Sequence, residues 1–298
     1  MSRMERVQAL HKYLHAIPQL AEPLTRVPVP VDDIDLRTPA ALHLLDGGFT
    51  VEPFPFETLH ERLRDHLTLG DAELGRTLSA RIAGSPAELG EAYRELIAFI
   101  ARDVLGFDVV FEAQPVLRFH PPGPMMDRYR CHADGGMLAF HSDLMLGDRF
   151  EQLNCWLPLT TSTRSNGLQH LPLESSIGVL EQFIALEQLD IFSLPSSREQ
   201  FFRCLDTDDE LRALVRDNVR SLETDYGGLW VFDPRIIHGT AENREQTTRV
   251  SIDFRLLPKD AYDRHRAGVA QGDETECFFG GVPMLRGHFY DGRTAFAL

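Results

Sequence analysis

Three potential metal ligands stand far apart in this sequence, and they constrain its fold more than any other feature. His141 and Asp143 are separated by one residue, and His238 follows roughly a hundred residues later. Alternate side chains of a β-strand share one face, so a strand over residues 141–143 would direct both ligands to one side, with Ser142 turned away. A second strand must then bring His238 to the same place. Two imidazoles and one carboxylate leave three metal positions open and suit non-haem Fe(II).

A second His-x-Asp pair, His132 and Asp134, lies nine residues upstream and competes for the same role. This pair runs directly into Gly135-Gly136, a strong turn signal, whereas the later pair lies in an apolar, strand-like run. We therefore expect His141 and Asp143 to bind the metal. His132 and Asp134 are expected in a polar loop at the mouth of the pocket, where they would contact substrate.

The sequence after His238 predicts a site for a carboxylate. A strand is predicted over residues 247–257, in which Arg249 and Ser251 share one face. The apolar residues Val250, Ile252 and Phe254 share the other face. An arginine binds a carboxylate through two parallel hydrogen bonds, which a lysine cannot do.

These motifs together resemble the Fe(II)/2-oxoglutarate-dependent oxygenases. The superfamily pattern is His-x-Asp, a distal His and then Arg-x-Ser, which His141-Ser142-Asp143, His238 and Arg249-Val250-Ser251 match. Residues 151–160 and 165–168 are similar to the phytanoyl-CoA hydroxylase-like branch, and within it to dioxygenases of streptomycin-type antibiotic clusters. The resemblance covers about residues 110–258. It implies Fe(II) at the three ligands, with 2-oxoglutarate and O₂ as cosubstrates.

The resemblance also implies roles for further residues. Arg249 and Ser251 would hold the far carboxylate of 2-oxoglutarate, and Asn154 and Trp156 would line its pocket. In this family the metal-binding His lies about fifteen positions before a Trp, which favours His141 over His132.

The sequence and this resemblance also suggest which residues contact substrate and which reaction the protein catalyses. His170 and Glu174 are further candidates for contacting substrate. Related halogenases carry Ala or Gly where this chain has Asp143, so the carboxylate indicates hydroxylation, oxidative ring closure or desaturation. Arg255 follows Arg249 at the spacing found in oxygenases that demethylate nucleic acids. The rest of that pattern is absent, so we expect Arg255 to end its strand in an ion pair.

Charge and composition limit the partners. The net charge of −15 argues against nucleic acid, whose binding depends on neutralised phosphates. An acidic surface would attract a cationic small molecule such as an aminocyclitol or aminoglycoside. No apolar run approaches the roughly 20 residues of a membrane helix, and the N-terminus does not resemble a signal peptide. The four cysteines show neither paired nor zinc-ligand spacing, which predicts free thiols in the cytoplasm.

Short strands separated by Gly and Pro turns predict a mainly β fold with flanking helices, built on a double-stranded β-helix core of the jelly roll or cupin-like type. That core is expected over residues 107–298, with a helical insert at about 177–219 made of two helices and a loop-rich last forty residues. Residues 1–106 are expected to form a mainly helical support region with some extended segments, within one compact domain. Its last helix is predicted to begin at Ser85 and end at Gly106.

Several functional alternatives stay open. One is a phytanoyl-CoA-type or amino-acid hydroxylase of the same superfamily, although the loop over residues 121–130 offers only Arg128 and Arg130 for CoA phosphates. Another is a non-redox, cupin-like metal-binding protein or a metal hydrolase. The sequence does not indicate an oligomeric state.

Overall fold

The computed structural model describes residues 7–8, 10–11, 20, 22–46, 55–63, 87–111, 115–122, 137–146, 149–187, 196–241, 243–271, 288–290 and 295–297. Its strands, in chain order, are β1 (Leu24–Pro28), β2 (Val109–Phe111), β3 (Val116–His120), β4 (Met137–His141), β5 (Leu153–Pro158), β6 (Leu168–His170), β7 (Arg220–Ser221), β8 (Gly228–Phe232), β9 (His238–Ala241), β10 (Arg249–Pro258), β11 (His288–Tyr290) and β12 (Ala295–Ala297). All their pairings are antiparallel.

The strand order is that of a double-stranded β-helix. The central strands of the larger sheet run β3-β10-β5-β8, and those of the smaller sheet run β4-β9-β6-β7. From β3 to β10 the chain therefore passes repeatedly between the two sheets. Among the described strands, β6 and β7 are the one consecutive pair within a sheet. This alternation winds the strands into a two-layered jelly roll. The predicted mainly β fold with a double-stranded β-helix core is confirmed.

The larger sheet extends beyond this core at both sides. Strand β1 pairs with β8, and β2 pairs with the end of β10 and with β11. The region before residue 107 thus contributes a strand as well as helices. The division into a support region and an oxygenase core stays a prediction.

The helices are α1 (Arg37–Asp46), α2 (Leu59–Leu63), α3 (Ala87–Phe99), α4 (Leu173–Glu187), α5 (Ser196–Thr207), α6 (Asp209–Asn218) and α7 (Lys259–Gln271). A π-helical turn continues α3 to Leu105, and Gly106 ends it with a φ of +72°, as predicted. The expected start of that helix at Ser85 lies outside the described residues.

Two helix predictions differ from the structure. The second insert helix, expected to run unbroken over residues 196–219, is divided at Asp208. The Asp208 side chain accepts a hydrogen bond from Leu211 N at 2.7 Å and so caps a new helix. The last forty residues, expected to be loop-rich, begin with the 13-residue helix α7.

The outer face of the larger sheet packs against the N-terminal helices. Alternating residues of β5, β8 and β10 join buried residues of α3 in one core cluster. Within this cluster the ring of Tyr93 lies edge-on to Phe111 and Phe254, with centroids 5.9 and 5.4 Å apart. Burying each such aromatic side chain contributes about 2–3 kcal/mol. The helices therefore stabilise the outside of the sheet and leave its other face to the interior.

Two further predictions can be compared with the structure. Cys155 and Cys204 are buried and form no disulfide within the described residues, while Cys131 and Cys277 lie outside them. Among the helices described above, none is both long enough and apolar enough to cross a bilayer.

Candidate metal centre and its surroundings

The structure brings the three predicted ligands together between the sheets. His141 ends β4 and His238 begins β9, where the two residues are direct cross-strand partners. The nearest oxygen of Asp143, Oδ1, lies 3.3 Å from His141 Nε2 and 3.6 Å from His238 Nε2. All three ligand atoms lie within 4.8 Å of one another, and no second such cluster occurs in the described part of the chain.

Asp143 reaches the cluster from a turn, not from the predicted strand. The ladder of β4 ends at His141, and a 3₁₀ turn begins at Asp143. The carbonyl of Pro234 draws the chain out of the ladder, because it accepts hydrogen bonds from Asp143 N at 3.1 Å and Ser142 Oγ at 2.8 Å. The Ser142 side chain is therefore turned away from the ligands, as predicted.

The turn between β8 and β9 fixes both halves of the site. Arg235 is fully buried within it, and its guanidinium binds both carboxylate oxygens of Asp233 at 2.8 and 2.6 Å. A third hydrogen bond joins Arg235 to the carbonyl of Leu10 at 2.7 Å. These hydrogen bonds hold the turn in place. Its Pro234 carbonyl binds the segment that carries Asp143, and the strand that begins with His238 follows directly after the turn.

His238 is held in the tautomer that metal binding requires. Its Nδ1 lies 3.0 Å from the carbonyl of Ile236, which can only accept, so Nδ1 carries the proton. The Nε2 lone pair then faces Asp143, and such an outer hydrogen bond orients a ligating imidazole. Burial, partly opposed by Asp143, lowers the pKa of His238 to about 4. The ring is neutral near pH 7 and packs against Phe232, with centroids 5.1 Å apart.

The two oxygens of Asp143 have different surroundings. Oδ2 accepts from Arg255 Nε and lies 3.0 Å from Arg255 Nη2 as well, whereas buried Oδ1 has no hydrogen-bond partner among the described residues. Burial would raise the pKa of this carboxyl, but Arg255, followed by His141 and His238, outweighs that effect and holds the pKa well below its usual range. An ionised carboxylate with one unpartnered oxygen beside two imidazoles fits a divalent transition metal.

A buried arginine lies on the inner face of β10. Arg249 is 3% exposed; its Nη1 lies 3.3 Å from Ser251 Oγ and its Nε 3.3 Å from His120 Nδ1. The guanidinium lies 5.3 Å from the ring centre of Trp156, and burial lowers its pKa to about 10. No carboxylate within the described ranges forms an ion pair with Arg249. The more distant carboxylate of Asp253 only partly offsets the cost of burying this cation, so the pocket fits the carboxylate of a bound molecule.

The remaining predicted cosubstrate residues share that inner face. Asn154 and Trp156 alternate along β5 with residues of the outer core, and Asn154 is the cross-strand partner of Arg255. Asn154 is 4% exposed; its carbonyl oxygen accepts from Gln152, while its amide nitrogen Nδ2 has no partner in the described structure. The amide could therefore donate to a bound molecule.

The predicted substrate residues are only partly described. His170 is buried and is the cross-strand partner of His238 on β6, so His141, His238 and His170 form one row across the smaller sheet. Burial lowers the pKa of His170. Glu174 lies four residues further, exposed in the first turn of α4. The other two predicted contacts, His132 and Asp134, lie outside the described residues.

Sequence reasoning missed two contacts in the site. His120 is the cross-strand partner of Arg249 and contacts its guanidinium. His120 ends β3, and its place beside Arg249 depends on the register between β3 and β10. Arg255 was expected to form an ion pair, but its partner, Asp143, could not be named without the register of the strands.

No family model matches this sequence, and no curated protein matches it. Among solved structures, the chain is similar to EctD from S. alaskensis in its apoform, with 15% identity, a TM-score of 0.46 and coverage of 84% of this chain and 77% of that one. It is also similar to AviO1 from Streptomyces viridochromogenes Tue57, with 16% identity, a TM-score of 0.45 and coverage of 85% and 94%.

A third similar structure is the non-heme alpha ketoglutarate dependent epimerase SnoN from nogalamycin biosynthesis. It shares 13% identity and has a TM-score of 0.40, with coverage of 84% of this chain and 83% of that one. These likenesses are distant. The double-stranded β-helix is therefore assigned from the strand pairing of this chain itself.

Proposed function

We propose that this protein is an Fe(II)- and 2-oxoglutarate-dependent oxygenase that oxidises an unactivated C–H bond. The observation that carries the proposal is the pairing of two features between the same sheets. One is the cluster of His141, Asp143 and His238, and the other is the buried Arg249, which forms no ion pair with a described carboxylate. A metal-binding protein without a cosubstrate has no need of such an arginine.

In this proposal each residue has a defined task. His141, Asp143 and His238 would hold Fe(II), which activates O₂ when bound and keeps three positions open. Arg249 and Ser251 would bind the far carboxylate of 2-oxoglutarate, with Trp156 covering the guanidinium and Asn154 donating a hydrogen bond. One oxygen atom of O₂ ends in succinate and the other in the product, so R–H, 2-oxoglutarate and O₂ give R–OH, succinate and CO₂.

The reaction class is tested by succinate release. Purified protein is mixed with Fe(II), ascorbate and 2-oxoglutarate in air, and succinate is measured with and without iron. We expect iron-dependent succinate even without substrate, at a low uncoupled rate. Tight metal binding with neither 2-oxoglutarate binding nor succinate would instead assign the non-redox, cupin-like alternative.

We further propose that the substrate is a small polar, cationic metabolite of secondary metabolism, such as an aminocyclitol or aminoglycoside. The net charge of −15 supports a cation. In this proposal Arg249 binds the cosubstrate and Arg255 contacts Asp143, so substrate ammonium groups would lie nearer the mouth of the pocket. Glu174 is exposed and follows His170 by four residues, and we assign both to substrate binding together with His132 and Asp134.

A substrate panel separates this proposal from its alternatives. Succinate release is compared with aminoglycosides, free amino acids and acyl-CoA thioesters. Stimulation by aminoglycosides supports the cationic substrate, whereas stimulation by acyl-CoA alone would assign the protein to the phytanoyl-CoA-type hydroxylases. Placement in the phytanoyl-CoA hydroxylase-like branch is part of what this panel tests.

A further inference from the structure

We propose that Arg255 is a positioning residue that restricts Asp143 to binding iron through a single oxygen. This inference rests on the proposed metal centre and adds a residue to it. Its basis is the contact between the Arg255 guanidinium and one particular oxygen of the carboxylate.

Two nitrogens of the Arg255 guanidinium contact the same oxygen of Asp143. Nε and Nη2 are each 3.0 Å from Oδ2 of Asp143, while Oδ1 faces the nitrogens of His141 and His238. An arginine that only paired with a carboxylate would ordinarily place its two parallel bonds on two oxygens. Here Oδ2 binds the arginine, and Oδ1 faces the two imidazoles.

The contact is protected from water and rigidly supported. The side chain of Asp143 is 1% exposed and that of Arg255 is 13% exposed. Arg255 lies on β10, which is paired there with Asn154 of β5. Because the paired strand holds Arg255 in place and water has little access to Oδ2, this oxygen keeps its contact with Arg255 in the folded protein. Oδ1 is then left to face the imidazoles.

This division matters for the number of open metal positions. A metal with six positions that is bound by two imidazoles and one carboxylate oxygen keeps three of them open. If Asp143 used both oxygens, only two would stay open. A cosubstrate that occupies two positions would then leave no place for O₂. By holding Oδ2, Arg255 would keep the third position free.

A simpler role for Arg255 is to neutralise a buried carboxylate, which any cation could do. Lysine distinguishes the two roles, because it supplies a point charge without the planar fork. If charge alone matters, Arg255→Lys should behave as the wild type. If the fork holds Oδ2, the lysine variant should bind metal with an altered ligand set.

The experiment uses Co(II), whose visible absorption spectrum responds to the number and type of its ligands. Co(II) affinity and spectrum are measured for the wild type, Arg255→Gln, Arg255→Lys and the matched control Arg118→Gln. Arg118 also lies on the inner face and pairs with a carboxylate of β10, Asp253, at 3.1 Å. We expect Arg255→Gln to raise the Co(II) Kd by about 10- to 100-fold, as other outer-shell substitutions do.

The remaining expectations make the proposal falsifiable. Arg255→Lys should retain most of the affinity but show a changed Co(II) spectrum, and Arg118→Gln should match the wild type in both. A lysine variant with the wild-type spectrum would overturn the proposal, as would an unchanged Kd in Arg255→Gln. Failure of the wild type to bind Co(II) would instead overturn the metal centre itself.

Discussion

At the scale of single residues, His141, Asp143 and His238 supply every protein ligand of the proposed metal centre. We predict that His141→Ala, Asp143→Ala and His238→Ala each weaken Fe(II) binding strongly and abolish 2-oxoglutarate turnover. The reason is that each substitution removes one of only three protein ligands from an ion that also exposes open positions. The measurement is iron content after desalting, together with succinate release.

His132→Ala serves as the matched control for these variants, because it removes an imidazole from the competing His-x-Asp pair. It should retain iron. Loss of iron in His132→Ala together with its retention in His141→Ala would mean that the wrong pair has been chosen.

The buried arginine gives a second prediction at the same scale. Arg249→Ala removes a guanidinium that is 3% exposed and forms no ion pair with a described carboxylate. The KM for 2-oxoglutarate should rise about 30- to 1000-fold, since losing a charge-assisted bidentate pair costs on the order of 2–4 kcal/mol. Steady-state kinetics at saturating iron measure the effect. An unchanged KM would remove the basis for assigning Arg249 to the cosubstrate.

His238 predicts how the metal-free protein responds to acid. Its folded pKa is about 4 against an ordinary 6.5. Between these values the unfolded chain binds a proton that the folded chain does not, so stability is full above pH 6.5 and is lost as pH falls toward 4. The loss is on the order of 3 kcal/mol. Asp143, with its lowered pKa, adds a further loss below its ordinary value of 3.8.

Urea unfolding in the presence of a chelator, at pH 7.5 and pH 4.5, measures this dependence. His238→Gln removes the imidazole and should show a clearly smaller difference between the two pH values. Equal differences in the two proteins would assign the acid sensitivity to other groups.

At the scale of elements, the turn between β8 and β9 determines whether the site assembles. Arg235→Gln leaves Asp233 buried without its charge partner, which should lower the free energy of unfolding by about 3–5 kcal/mol. The exposed pair of Arg264 and Asp260 on α7 provides the control, since Arg264→Gln should cost less than about 1 kcal/mol. Chemical denaturation compares the two variants, and similar losses would argue against a special role for the turn.

Faces of strands were predictable from the sequence, because a period of two is local information. Arg249 and Ser251 alternate with Val250, Ile252 and Phe254, and the structure buries the apolar set in the outer core. The same parity places Arg255 on the inner face. The site could thus be anticipated as a set of inward-facing residues on β5 and β10.

Partners across strands were not predictable, because they depend on the register between segments that are remote in sequence. The contact of Arg255 with Asp143 joins positions 112 residues apart. The departure of Asp143 from its strand is likewise set by the carbonyl of Pro234, from a distant turn. The break in the helical insert, in contrast, had a local signal in the sequence, because Asp208 is a good N-cap residue within a continuous helical pattern.

At the scale of the whole molecule, the double-stranded β-helix separates stability from chemistry. The outer face of the larger sheet is apolar and covered by helices. Its inner face carries Arg249 and Arg255, and Arg255 contacts the metal ligand Asp143. A site built on paired strands is held more rigidly than one built on loops. Substitutions on the outer face should therefore act on folding, whereas those of Arg249 and Arg255 should act on cosubstrate and metal binding.

The overall charge gives the last prediction. With a net charge of −15, the protein should attract a cationic substrate through a field that salt screens over about 8–10 Å at 0.1–0.15 M. For an aminoglycoside that stimulates succinate release, the substrate KM should rise as NaCl increases from 20 to about 300 mM. The buried contacts of 2-oxoglutarate with Arg249 should be much less affected, so its KM serves as the internal control. A substrate KM that is unchanged or falls with salt would contradict a role for the acidic surface in binding a cation.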